Sequence, residues 1–252
     1  MEKKIDYVVF DMDGLLIDTE RVYTEVTNDI LGRYGKTMTW DIKAQLMGKL
    51  NANHIAARVE SATHLLSFFP GIDITIDQYL MESQEKQDAK WPTVQLLPGV
   101  QRLIQHLVKH DMPIVVATAS SRRNFDRKSE NLKEFFDYFQ GNIVCADDVA
   151  GKTAGKPDPY IFLHAAGILG KAVGTTEQCT EAETVERSKG LVFEDAVYGV
   201  QAGKRAGMSV VWVPDERLLD VASASPYIPD EMLLSIEHFK PEKWGLPPYD
   251  AE

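Results

Sequence analysis

Tyr7-Val8-Val9-Phe10-Asp11-Met12-Asp13-Gly14 sets the fold class of this 252-residue chain. The first four residues are apolar and β-favouring, and read as a buried strand. Two carboxylates follow, one residue apart. Gly14 comes next, and glycine takes turn conformations closed to other residues. In open α/β sheets, ligands bind in the crevice outside the carboxyl ends of the strands. A parallel strand ending on Asp11 and Asp13 points both acids into that crevice. An acidic turn with no further role is the plain alternative.

Downstream of Gly14 the pattern is helical. Val22, Val26, Ile30 and Leu31 recur at helical spacing over residues 20–34, with Asp18 or Thr19 as N-cap and Gly35 as C-cap. Further helices are predicted near residues 41–47, 53–69 and 77–90, with no strand among them. The pattern changes at Pro98-Gly99. From there, helices near 100–107, 122–136, 159–166 and 197–206 alternate with strands near 113–117, 142–145, 191–193 and 208–213. Such alternation implies right-handed crossovers and a parallel sheet. The expected organisation is an α/β core from residues 1–16 and 94–252, with an all-helical domain, 17–93, inserted after the first strand. Two linkers, near 15–19 and 92–97, make a natural hinge. Residues 170–189 are polar and rich in Thr and Glu, and are expected to form a long surface loop without functional weight.

Bulk composition narrows the function classes. Net charge is −11, which argues against a nucleic-acid partner. No apolar run approaches the roughly 20 residues needed to span a bilayer. Cys145 and Cys179 have no metal-ligand spacing, so a reduced environment is expected. Met1-Glu2-Lys3-Lys4 leads straight into the first strand without an apolar leader. The expectation is a cytoplasmic, acidic monomer that leaves membranes and nucleic acid alone.

Three more stretches converge on the same end of the sheet. Thr118-Ala119-Ser120 closes a strand just before a helix, where a hydroxyl and free N–H groups suit a phosphate oxygen. A plain Ser/Thr N-cap fits there too. In Gly155-Lys156-Pro157-Asp158-Pro159 the prolines stiffen the backbone and hold Lys156 on a rigid turn, although a solvated loop lysine reads the same way in isolation. Leu191-Val192-Phe193 then delivers Glu194-Asp195, a second pair of acids at a strand end. Oxygen ligands from two strand ends suit a hard cation such as Mg²⁺.

In this order, the four stretches resemble the motifs of the haloacid dehalogenase-like superfamily, and the likeness spans essentially the whole chain. The helical insert resembles the cap of its β-phosphoglucomutase-like subgroup. The chain is also similar to the eukaryotic pseudouridine 5′-phosphatase family. That likeness lies in Phe10–Leu16, Trp40-Asp41, Met47-Gly48-Lys49, Val192–Ala196 and the tail from Lys240 to Pro247. The resemblance implies a three-layer, Rossmann-like core, Mg²⁺ dependence and an aspartyl-phosphate intermediate. Asp11 is then the nucleophile and Asp13 the general acid/base. Thr118, Ala119 and Lys156 bind phosphate. Asp11, Asp195, Glu194 and the Asp13 main-chain carbonyl hold the metal. The substrate is expected to be a small phosphorylated metabolite, either a sugar phosphate or a nucleoside or pseudouridine 5′-monophosphate. A phosphosugar mutase, or a non-catalytic binding protein of this fold, is the alternative.

Other features are expected to carry no chemistry. Gly151-Lys152-Thr153 looks like the end of a P-loop, but Ala146 stands where that pattern needs glycine. The six histidines show no metal spacing. Arg122 and Arg123, with Lys128 nearby, read as a solvated helix face. Lys49 and Asn51, in a polar turn of the insert, are candidate substrate contacts if the insert closes over the site.

Overall fold

Six parallel strands form one sheet: β1 (Tyr7–Phe10), β2 (Ile114–Ala117), β3 (Ile143–Val144), β4 (Gly190–Glu194), β5 (Ser209–Trp212) and β6 (Glu231–Met232). They lie in the order β3-β2-β1-β4-β5-β6 in the computed structural model, which describes residues 4–47, 55–149, 151, 155–219 and 227–250. β1 is central and wholly buried, as a strand covered on both faces must be. It pairs Val9 with Val115 on one side and with Val192 on the other.

Alternate residues supply the two faces of the sheet. Val8, Phe10, Val116, Leu191 and Phe193 join one apolar cluster, and Tyr7, Val9, Val115, Val192 and Val210 the other. The first cluster takes in α5 (Val100–Lys109), whose Val100, Leu103, Ile104 and Leu107 are buried. The second takes in α8 (Tyr160–Ile168) and α10 (Val197–Arg205). This is the three-layer α/β arrangement that the resemblance implies.

Among the described residues, four α-helices lie between β1 and α5. They are α1 (Thr19–Gly32), α2 (Trp40–Met47), α3 (Ile55–Ser67) and α4 (Ile76–Lys90). Asp18 caps α1 by accepting from Arg21 N at 3.2 Å, and Thr75 caps α4 in a reciprocal pair with Gln78. Val22, Val26, Ile30 and Leu31 face inward, together with Leu65 and Tyr79. These helices form the inserted cap.

Beyond β6, which the sequence reading does not include, two stretches differ from it. The helix expected over 122–136 is broken into α6 (Arg122–Lys128), a 3₁₀ turn and α7 (Lys133–Phe136). Asn131 turns away to donate to Val94 O at 2.8 Å, and Phe125, Phe135, Phe136 and Phe139 close into an aromatic cluster. The 170–189 stretch contains α9 (Glu181–Ser188), set by a Thr180–Glu183 capping box. Arg187, on α9, is buried and donates to Val173 O and Thr175 O, both at 2.6 Å. One arginine thus gathers the preceding segment against the core. Among the described residues, no helix is long and apolar enough to cross a membrane.

Candidate active site

The connection from β1 runs to β2 and then β3 on one side, and β4 returns to the other side of β1. The crevice between the carboxyl ends of β1 and β4 is therefore the topological switch point. Asp11 and Asp13 stand just past β1, Glu194 ends β4, and Asp195 follows it. Asp11 N extends the ladder to Phe193 O at 3.1 Å, which fixes the two acid pairs relative to each other. Two glycines make room for them. Gly14 has a φ of +79°, and a Cβ there would stand 2.5 Å from Asp195 Oδ2. A Cβ on Gly199, in the first turn of α10, would overlap the Glu194 carboxylate.

Lys156 joins the two strand ends. Its ammonium is buried and donates to Asp11 Oδ1 and Glu194 Oε1, both at 2.5 Å. The second oxygen of Glu194 accepts from Ala196 N at 3.1 Å. Oxygens of Asp11, Glu194 and Asp195 all lie within 4.8 Å of one another. That crowding has electrostatic consequences. Burial pushes the Asp11 carboxyl up to about 7, against the pull of Lys156. Burial, with Glu194, Asp11 and Glu20 nearby, raises Asp195 well above the ordinary carboxylate range. Burial opposes the charge on Lys156, but Asp11 and Glu194 outweigh it and its pKa is raised.

Asp13 occupies a separate polar pocket. Its Oδ2 accepts from Ser120 Oγ at 2.8 Å and from Thr118 Oγ1 at 3.3 Å. Its Oδ1 accepts from Lys128 Nζ at 2.5 Å. Burial works against ionisation here, but the charge and hydrogen bond of Lys128 and the Ser120 bond hold Asp13 below the usual carboxylate range. The reading of Lys128 as part of a solvated face is therefore overturned. Its side chain is only 1% exposed, and it also donates to Tyr23 OH and Ser120 Oγ. Arg123 is exposed, and Arg122 pairs with Asp148 at the surface. A buried lysine was visible in principle, since Lys128 lies three residues after the buried Phe125, on the same side of the helix. Ser120 and Tyr23 were likewise missed.

The structure brings Asp11, Asp13, Thr118, Lys156, Glu194 and Asp195 together at one end of the sheet. The Thr118 hydroxyl accepts from Ser120 N at 3.0 Å and donates to Asp13 Oδ2 at 3.3 Å. The Asp13 carboxylate lies outside the cluster of three acids. Ala119 lines a cavity of about 270 Å³ that runs from Asp11 and Asp13 into the cap, past Lys43, Leu65 and Gln84. Lys49 and Asn51 lie outside the described residues.

The family model described as haloacid dehalogenase-like hydrolase matches residues 5–207. The (DL)-glycerol-3-phosphatase 2 of Arabidopsis thaliana is 39% identical over 248 residues, covering 98% of this chain and 93% of that protein. The probable pseudouridine-5′-phosphatase of Drosophila melanogaster is 35% identical over 247 residues, covering 98% of this chain and 96% of that one. A HAD family hydrolase of Deinococcus radiodurans, 19% identical, has the same fold, with a TM-score of 0.71 over 97% of this chain and 99% of its own. The chain belongs to the haloacid dehalogenase-like hydrolase family.

Proposed function

We propose that the protein is a Mg²⁺-dependent phosphomonoesterase acting on a small phosphorylated metabolite through an aspartyl-phosphate intermediate. One observation carries this reading above the rest. A buried ammonium, Lys156, lies between a candidate nucleophile and a cluster of acids, with a second, separately held aspartate two residues away. A single acid with no cation site would suffice for halide displacement. Paired acids, a fixed lysine and a cation cluster suit phosphoryl transfer, where neutralising charge is most of the task.

The residues fit Mg²⁺. Asp11, Glu194 and Asp195 offer hard oxygen donors within 4.8 Å of one another. Burial first, and then the negative charge of Glu194, Asp11 and Glu20, raises the Asp195 carboxyl, and a cation relieves that charge. Asp11, Asp195 and the Asp13 main-chain carbonyl would hold the ion, with Glu194 binding directly or through water. When bound, it supplies positive charge to the phosphoryl oxygens.

The chain's own groups do the rest. An Asp11 oxygen attacks phosphorus, forming an acyl phosphate as the P–O bond to the leaving group breaks. Asp13 gives its proton to the departing alkoxide. It then takes a proton from the water that attacks the same phosphorus, and the bond to Asp11 breaks as phosphate leaves. Lys156, Thr118 and the Ala119 N–H face the transferring oxygens. The cap lies over the cavity, excludes bulk water and selects the substrate.

The relatives' names suggest glycerol 3-phosphate and pseudouridine 5′-phosphate as first substrates to try. The test is phosphate release from a panel of monoesters containing both, with and without Mg²⁺, for wild type and Asp11→Asn. Mg²⁺-dependent release by wild type, lost in Asp11→Asn with the fold intact, is expected. Isomer interconversion without release would make the protein a mutase. Full activity in Asp11→Asn would refute the nucleophile assignment.

A further inference from the structure

We propose that Lys128 is a positioning residue for the general acid, fixing which oxygen of Asp13 exchanges the proton. This rests on the phosphomonoesterase reading above. Lys128 leaves the end of α6 and reaches inward. Its ammonium sits 5.4 Å from the Tyr23 ring centre and 5.0 Å from that of Trp91. Those rings come from α1 of the cap and from the linker that leads back to the core. They stand edge to face, 5.4 Å apart, and leave the ammonium little room to move. Its donors are then committed to Asp13 Oδ1 at 2.5 Å, Ser120 Oγ at 2.9 Å and Tyr23 OH at 3.0 Å.

The consequence lies in the chemistry of the partners. An ammonium only donates, so Oδ1 of Asp13 is permanently an acceptor. Oδ2 instead meets two hydroxyls, Ser120 and Thr118. A hydroxyl can donate or accept, so Oδ2 can lose or gain a proton without leaving either partner unsatisfied. Oδ2 is therefore the oxygen that gives the proton to the leaving group and later takes one from water. Lys128 also holds the carboxylate plane, and a misplaced proton donor is a poor general acid. Lys156 cannot serve in its place, because its bonds run to Asp11 and Glu194.

The experiment exploits the leaving group. An alkoxide needs a proton to depart, while 4-nitrophenolate departs without one. kcat/KM reports events up to formation of the acyl phosphate, and so isolates the acid step from the later hydrolysis. Lys128→Met is compared with wild type on two substrates: the alkyl monoester that wild type hydrolyses fastest in the panel, and 4-nitrophenyl phosphate. We expect kcat/KM to fall about 10²-fold on the alkyl monoester, the low end of a general acid's contribution, and under about 5-fold on the aryl ester. Lys128→Arg, which keeps a charged donor, should recover part of the alkyl rate. Equal losses on both esters, or no loss on the alkyl ester, overturn the assignment. If Lys128→Met does not fold, Lys128→Gln is read by the same two-ester ratio and the same thresholds. Wild-type inactivity on both esters would instead remove the phosphomonoesterase reading, and this assignment with it.

Discussion

Lys156→Met tests whether the site is held together by charge. The side chain is 4% exposed and its ammonium bonds to two carboxylates whose own exposures are 8% and 1%. Methionine keeps much of the volume, and the neighbouring Phe162 ring, 4.9 Å from the ammonium, receives it as an apolar contact. What the substitution removes is the cation. Breaking a buried pair by deleting one partner costs about 3–5 kcal/mol, because a buried charge is left uncompensated. For a chain of this size that corresponds to a melting point lower by roughly 6–20 °C. The loss must depend on pH. Asp11, at about 7, already sits above its unfolded value of 3.8. An acid whose folded pKa is raised stabilises the fold at low pH, and that contribution is lost as pH rises from the unfolded value through the folded one. Removing Lys156 takes away the influence that lowers Asp11, so the window widens upward. Thermal melts in EDTA should therefore show the variant's deficit small near pH 5 and largest near pH 8. Mg²⁺ should recover part of it at pH 8. A deficit that is the same at both pH values would refute the electrostatic argument and reduce Lys156 to a packing residue.

Two further outcomes follow from the same geometry. Gly199→Ala forces a methyl into the space of the Glu194 carboxylate, and overpacking of this kind costs about 1–3 kcal/mol. Chemical denaturation measures that loss, and activity should fall as Glu194 shifts off Lys156. Mg²⁺ binding should release protons near neutral pH and tighten as pH rises through about 7, because Asp11 and Asp195 both sit above their ordinary values in the free protein. Titration calorimetry in two buffers of different ionisation enthalpy reads the proton count directly.

Much of the fold was legible because its signals are local. The Tyr7–Phe10 run and the Ile114–Ala117 run are apolar on both faces, as buried parallel strands must be, and both are strands. The acids at strand ends were legible for the same reason, since a strand end lies within one or two residues of its chemistry. Lys128 was not, because its charge is neutralised by Asp13, 115 residues away in sequence. Only the fold brings those two together, and a polar helix start hides the one buried position at its end. The α9 segment failed differently. Its Thr180-x-x-Glu183 box was present in the sequence, but a low apolar content outweighed it, and the stabilising partners of Arg187 are main-chain carbonyls that no side-chain pattern reveals.

Asp11 and Asp13 share one turn, yet each has its own buried lysine, Lys156 for the first and Lys128 for the second. The two environments push the carboxyls apart, Asp11 upward and Asp13 downward. Environments that separate paired acids assign their roles, and here the order in the free protein is the reverse of what the first displacement needs. A nucleophile must be ionised and a general acid protonated. The difference between the two aspartates is that Asp11 shares its surroundings with Glu194 and Asp195, whereas Asp13 is ringed by donors. Asp11 comes down when a divalent cation is shared with the other two acids, and Asp13 goes up when the negative charge of a phosphate monoester enters beside it. On the proposed mechanism, the free protein is thus set for the second displacement, in which Asp13 acts as the base. Cation and substrate together set it for the first. The lysines do not cause the split, since each draws its own aspartate downward; burial and the crowding acids lift Asp11 against Lys156, while the donors around Asp13 prevail over its burial.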